Sequence, residues 1–212
     1  MKAFIFDLDG TLLDSLTDIA GAVNDVLGHF GYPLHSLSDY QNMVGQGVEH
    51  LVRAALPSSA QERVNEVLAA YRERYRERML LHTQPYPGIA ELLDGLTARG
   101  FQLAVLSNKR DDFTVALVRE VLAKWRFADV RGERVGVPRK PDPAAALEIA
   151  KQLEVAPAEC FFVGDTAIDM RTATAAGMTS IGVTWGFRPE KELRDSGAIH
   201  VVHKPEQMLA LL

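Results

Sequence analysis

From Gln102 onward, short apolar runs alternate with amphipathic helical stretches, and that rhythm constrains the fold more than any other feature of the chain. The runs Gln102–Leu106, Cys160–Val163, Ser180–Val183 and Ile199–Val202 have the length and the branched or aromatic content of buried strands. Shorter extended pieces are expected near Ala128–Val130 and Arg134–Val137. Helices are predicted from Ile89 to Arg99-Gly100, from Asp111 to Lys124, after Pro143, and from Thr166 to Ala176 with Gly177 past its end. Strands and helices in this order make a parallel sheet covered on both faces. One further strand, Lys2–Phe6, opens the chain and stops at Asp7.

The rhythm breaks right after that first strand. Residues 14 to 82 carry only helical periodicity. One helix begins at a capping-box pattern, Ser15–Asp18, and ends at Gly31-Tyr32-Pro33. A second runs from Gly47 to Leu56, and a long third from Ser59 to Leu81, about 34 Å at 1.5 Å per residue. The expected fold is α/β: a Rossmann-like, doubly wound parallel sheet formed by residues 1–13 and 83–212, with an all-helical cap, 14–82, inserted after the first strand.

Composition excludes several classes. The net charge is −5, and nothing in it supplies the basic face that nucleic-acid binding needs. No apolar run is long enough to cross a membrane, and the four apolar residues after Lys2 are too few for a signal-peptide core. The single cysteine, Cys160, precludes an intrachain disulfide and a cysteine-based zinc site, which fits a cytoplasmic location. Trp125 and Trp185 are expected to pack. The oligomeric state is not readable.

Four polar features sit where predicted strands end, the edge at which open parallel sheets bind ligands. Asp7 and Asp9 flank Leu8, with Gly10 turning the chain before Thr11. Two carboxylates so placed repel each other and need a cation or a shared proton. Gly164-Asp165-Thr166-Ala167-Ile168-Asp169 puts a second acidic pair one helical turn apart, although a helix cap would use the same residues. Lys140 stands between Arg139 and Pro141 in a loop stiffened by Pro141 and Pro143, and a fixed ammonium suits phosphate. Ser107 and Asn108 follow the strand ending at Leu106 and can hold phosphate oxygens.

Each feature is modest alone. In this order, the chain resembles the haloacid dehalogenase superfamily of phosphotransferases over its whole length. The resemblance rests on DxDGT at Asp7–Thr11, strand-end Ser107, Lys140 before a proline, and GDTxxD at Asp165–Asp169. Within the superfamily it is most similar to the phosphoglycolate phosphatase group, on DLDGTLLDS, VGQGVEHLVRAAL, YPGI, LSNK, KPDP and GDTAID.

That resemblance implies a mechanism. Asp7 attacks phosphorus and forms an aspartyl-phosphate. Asp9 serves the leaving alcohol as acid and the attacking water as base. Thr11 orients Asp9 or its loop, and Ser107, Asn108 and Lys140 hold phosphoryl oxygens. Four carboxylates meeting a phosphate dianion, with only Lys140 opposite, need a divalent cation, and an all-oxygen donor set selects Mg²⁺. Asp7, Asp9 (through its carbonyl), Asp165 and Asp169 are the implied metal residues. The expected partner is a small phosphate ester such as 2-phosphoglycolate. The alternatives are a sugar-phosphate phosphatase, a pyrophosphatase or a β-phosphoglucomutase-like phosphotransferase. Residues 14–82 contain no lysine, which removes Schiff-base phosphonate chemistry. Substrate choice is expected from the cap: Gly45-Gln46-Gly47 as a loop over the site, with His50 and Arg53 on the next helix, Arg53 facing a substrate carboxylate.

Overall fold

The computed structural model describes residues 2–212. In chain order the elements are β1 (Ala3–Phe6), β2 (Leu13–Asp14), α1 (Leu16–His29), α2 (Leu37–Met43), α3 (Val48–Ala55), α4 (Val64–Arg78), β3 (Gln84–Pro85), α5 (Ile89–Ala98), β4 (Gln102–Arg110), α6 (Asp111–Val121), β5 (Asp129–Glu133), α7 (Ala144–Gln152), β6 (Cys160–Gly164), α8 (Ala167–Ala176), β7 (Thr179–Val183), α9 (Glu190–Asp195), β8 (His200–Val202) and α10 (Glu206–Leu209).

The side chains of β1 explain why a sheet forms with helices on both sides. Its four residues alternate between faces, and all four are fully buried. Ala3 and Ile5 pack on one face with Ala146, Ile149 and Ala150 of α7 and Ala173 of α8. Phe4 and Phe6 pack on the other with Leu92 and Leu96 of α5. Burying each of these phenylalanines is worth about 1.5–3 kcal/mol. The parallel sheet has the order β5-β4-β1-β6-β7-β8. Because β4 and β6 lie on opposite sides of β1, the chain leaves the two edges of β1 in opposite directions, and a crevice opens beyond its C-terminal end.

The helices α1 to α4 form the insertion after β1, and no strand interrupts them. Two pieces escape the sequence reading. A minimal antiparallel ladder, Leu13 opposite Pro85 and Asp14 opposite Gln84, joins the two linkers between sheet and helices. The buried Asp18 staples the same hinge: its Oδ2 accepts from the N–H of His82 (2.9 Å), the N–H of Thr83 (2.9 Å) and the Thr83 hydroxyl (2.8 Å), and its Oδ1 lies 2.8 Å from His82 Nδ1. Burial raises the Asp18 pKa, but these hydrogen bonds outweigh it and hold the carboxyl below its ordinary value. The expected capping box at Ser15–Asp18 is therefore absent: Asp18 is committed to the hinge, and the Ser15 hydroxyl donates to Asp9 instead.

Other boundaries also shift. The long third helix is a 3₁₀ segment, Ser58–Arg63, followed by α4, about 22 Å long. There Gln61 turns back to donate to the carbonyls of Arg53 (2.9 Å) and Leu56 (3.1 Å), closing the end of α3. The strand expected to end at Leu106 continues to Arg110 with a shifted register, so Ser107 and Asn108 lie inside β4. Arg134–Val137 is a turn, with the Val137 N–H donating to the Arg134 carbonyl at 3.2 Å. The short helices α2, α9 and α10 carry too few turns to register as a pattern.

Candidate active site

The crevice collects residues from five separate stretches of chain. Asp7 follows β1 and is tied back to the sheet through its N–H to the Val163 carbonyl, 2.8 Å. Its Oδ1 accepts from the Leu8 N–H at 2.7 Å and lies 3.0 Å from Lys140 Nζ. Asp165 comes from the end of β6. The Phe187 N–H, in the loop after β7, donates to its Oδ2 at 2.8 Å, and the Thr11 hydroxyl donates to its Oδ1 at 3.2 Å. Of the two expectations for Thr11, Asp9 or its loop, its hydroxyl does not serve Asp9 but supports Asp165. Asp169, one turn into α8, accepts Lys140 Nζ at 2.7 Å on Oδ1, and the Thr166 hydroxyl and N–H on Oδ2 at 2.7 and 3.1 Å.

Glycines give these carboxylates their room. A Cβ on Gly164 would overlap Asp169, and one on Gly186 would overlap both Asp165 and the Gly10 carbonyl. Gly10 itself sits at φ +82°, a conformation that L side chains rarely adopt, and a Cβ there would strike Asp165. The Trp185 indole N–H donates to the Thr11 carbonyl at 3.0 Å, pinning the loop after β7 across the DxDGT turn.

Electrostatics make this cluster unusual. Asp7, Asp165 and Asp169 are all buried, and each offers a carboxylate oxygen within 4.8 Å of the others. Burial, assisted by the Asp169 charge and opposed by Lys140, pushes the Asp7 carboxyl up to about 6. Burial and the charges of Asp169 and Asp7 push Asp165 well above the carboxylate range. Burial pulls Lys140 down, but Asp169 and Asp7 more than restore it, so it stays charged. Two of the three buried carboxylates, Asp7 and Asp169, share one ammonium, and Asp165 has no cation beside it among the ion pairs of the described residues. An all-oxygen donor set left short of positive charge fits a hard divalent cation.

Asp9 belongs to a second group. Its oxygens face Lys109 Nζ at 2.9 and 2.7 Å, and the Ser15 hydroxyl donates to Oδ1 at 2.5 Å. Ser107 is buried nearby, its Oγ accepting the Lys109 N–H at 3.3 Å. The Asn108 side chain is fully engaged: Nδ2 donates to the carbonyls of Gly45 and Lys140, both at 3.1 Å, and Oδ1 accepts the Lys140 N–H at 3.0 Å. It therefore bridges cap and core and has no side-chain donor to spare for phosphate. Gly45 and Gly47 line the cleft, at φ +114° and +90°, and Arg139 donates to the Gln46 carbonyl at 3.2 Å. Gln46 lines a neighbouring groove beside Lys140 and Thr166.

The structure does not bring the two cap candidates into the cleft. Arg53 lies on an exposed face, paired with Glu49 at 2.8 Å, because the glutamate one turn earlier captures it. His50, half-buried on the same helix, is not among the lining residues. Sequence reasoning gave no site role to Lys109, although it ends the LSNK motif, nor to Tyr75, Phe187 and Arg188, and it read Ser15 only as a helix cap. The Arg188 guanidinium donates to the carbonyls of Gln41, Asn42 and Val44 at the end of α2. Only the fold reveals that these residues meet the site.

Comparison with known proteins places this geometry. The pattern of the haloacid dehalogenase-like hydrolase family matches residues 4–183. The chain is 32% identical over 214 residues to phosphoglycolate phosphatase 1 of Pseudomonas aeruginosa, covering 98% of this chain and 78% of that one. It is 33% identical to phosphoglycolate phosphatase of Thiobacillus denitrificans over 201 residues, covering 91% and 88%. A crystal structure from Lactobacillus delbrueckii subsp. bulgaricus superposes with a TM-score of 0.91 at 32% identity, covering 100% of this chain and 98% of that one. Among the described residues no helix is long and apolar enough to cross a membrane.

Proposed function

Since the chain belongs to the haloacid dehalogenase-like hydrolase family, we propose that it is a divalent-metal-dependent phosphatase for small phosphomonoesters, with Mg²⁺ as the metal and 2-phosphoglycolate as the leading substrate. The observation that carries this reading is the buried trio Asp7, Asp165 and Asp169, whose carboxylate oxygens lie within 4.8 Å of one another while Lys140 pairs with Asp7 and Asp169 alone. Asp7 and Asp165 would hold the metal. Asp169 supports it from behind, because both its oxygens are already occupied. When bound, the cation neutralises charge on the phosphoryl oxygens and lets a dianion approach a carboxylate.

The remaining chemistry falls to the chain's own residues. The Leu8 N–H and Lys140 fix the Asp7 carboxylate for attack on phosphorus. A bond forms between an Asp7 oxygen and phosphorus as the ester P–O bond breaks, and the Asp7 ester is then cleaved by water. Asp9 gives the departing alkoxide its proton and takes one from that water. Ser107 and Lys140 receive phosphoryl oxygens. Residues 14–82 move as a cap about the β2–β3 ladder and the Asp18 staple.

The test is phosphate release from a panel of metabolite phosphates by the purified protein, with Mg²⁺ and with EDTA. Metal-dependent release, strongest from 2-phosphoglycolate, is expected. Absence of any metal-dependent release would overturn the reading.

A further inference from the structure

The leaving-group end of the cleft differs sharply from its phosphate end. The cap contributes Ile19 from α1 together with Val44, Val48, Leu51, Tyr71 and Tyr75. Aliphatic carbons and ring faces dominate this wall, so the hydroxyls of a sugar would be buried there unpaired. The cavity is about 50 Å³, room for roughly four waters. Asp7 and Ser107 line the same volume, so it must take the phosphoryl group as well, and it suits only a small ester.

Two polar groups stand out in that wall. At this end of the cleft the lining cations among the described residues are Lys109 and Arg110, and Arg110 is spent on Asp112 through two hydrogen bonds of 2.9 Å. Lys109 is almost fully desolvated, its side chain 8% exposed. An ammonium has three hydrogens. Two directions go to the Asp9 oxygens, and Nζ also lies 4.7 Å from the centre of the Tyr75 ring. The second group is the Tyr75 hydroxyl. Tyr75 is 1% exposed, and its oxygen has no hydrogen-bond partner. A buried, unpaired phenol is costly, and a ligand that accepts from it would remove the cost.

We propose that Lys109, seconded by the Tyr75 hydroxyl, selects phosphate esters whose leaving alcohol carries a carboxylate one or two carbons from the ester oxygen. This inference rests on the phosphatase reading above and deepens it by naming the residues that choose the substrate. On binding, the substrate carboxylate takes the ammonium hydrogen now turned to the Tyr75 ring, while Asp9 keeps its link to Ser15. The determinant thus lies on a core strand next to the acid–base residue, not on the cap helix that carries Arg53.

The experiment compares kcat/KM for 2-phosphoglycolate and for ethyl phosphate, which differs by lacking the carboxylate. The ratio of the two is insensitive to the amount of active protein and to any common change in chemistry. Wild-type protein is expected to favour the carboxylated ester. In Lys109→Met the ratio falls about 10- to 100-fold, the scale of one charge-assisted hydrogen bond, mainly through KM for 2-phosphoglycolate. Lys109→Arg restores part of it. Tyr75→Phe removes a hydroxyl without a partner, so it keeps the fold, and it lowers the ratio about threefold. A preference unchanged in both Lys109→Met and Tyr75→Phe, or a wild-type preference for ethyl phosphate, overturns the inference while leaving the phosphatase reading intact. If wild-type protein hydrolyses no ester at all, the phosphatase reading fails and this inference falls with it. Should Lys109→Met not fold, Lys109→Arg and Tyr75→Phe decide.

Discussion

The two ends of the cleft are built by different means. At the phosphate end, each carboxylate follows a sheet strand by one residue or one helical turn, and each is held by backbone N–H groups or by neighbours in its own loop. At the leaving-group end, Lys109 comes from a core strand, Tyr75 from the last turn of α4 and Ser15 from the residue before α1, and Lys109 meets Tyr75 across the boundary between sheet and inserted helices. The first arrangement is over-determined, each carboxylate held by two or more partners within the core, which suits chemistry that must not vary. The second joins core to inserted helices through few contacts, so one substitution can retune it without touching the reacting centre.

The sharpest way to break that contrast is Asp7→Asn. Turnover should fall by about 10⁴-fold or more, since removing a nucleophile costs far more than removing a support. The fold should survive, because asparagine fills the same space and removes a buried charge. Near-wild-type turnover in pure variant protein would show that Asp7 is not the nucleophile.

The next effect is on stability and follows from the raised carboxyls. Burial, with help from Asp169 and against Lys140, holds Asp7 at about 6, above its ordinary 3.8. The folded metal-free protein therefore binds a proton that the unfolded chain releases. The resulting stabilisation is complete below the unfolded pKa and is lost as pH rises through 6, about 3 kcal/mol for this one group. Asp165, also raised by burial and by the charges of Asp169 and Asp7, acts in the same direction. Thermal unfolding in EDTA should give a lower Tm at about pH 7.5 than at about pH 5, with Mg²⁺ restoring most at the higher pH, where the carboxylates are free to bind it. A metal-free Tm that climbs across this interval would contradict the burial argument.

How much of this was legible in the sequence follows from the same contrast. Asp7, Asp165 and Lys140 stand beside glycines, prolines and strand ends that announce them, and their convergence follows from parallel-sheet topology alone. Ser15 and Asp18 mislead for a physical reason. Their spacing fits a helix cap, yet the structure spends one on Asp9 and the other on the linker at His82 and Thr83. Arg53 misleads in the opposite way, since its position facing a ligand on a helical wheel ignores Glu49 one turn earlier. Tyr71 and Tyr75 stand four residues apart on one face of the long helix, and both are buried. That the Tyr75 hydroxyl lacks a partner is a fact of three dimensions that no spacing encodes.

The smallest expected effect concerns how the two ends are held together. Arg188, two residues beyond Gly186, reaches from the loop that supports Asp165 to the carbonyls of Gln41, Asn42 and Val44, so it ties the metal-side loop to the end of α2 and the glycine loop that follows it. Carbonyls at a helix C-terminus welcome a cation. Its side chain is only 12% exposed, so solvent screens the contact weakly. Arg188→Gln keeps a donor but loses the charge and most of the reach, which should weaken the seated cap by about 1 kcal/mol. The expected readouts are a rise in KM of up to about tenfold with kcat little changed, and faster amide exchange in residues 44–47. A fall in kcat with KM and exchange unchanged would instead place Arg188 in the chemical step, through its neighbours Gly186 and Phe187, and would erase the division between a fixed phosphate end and an adjustable cap.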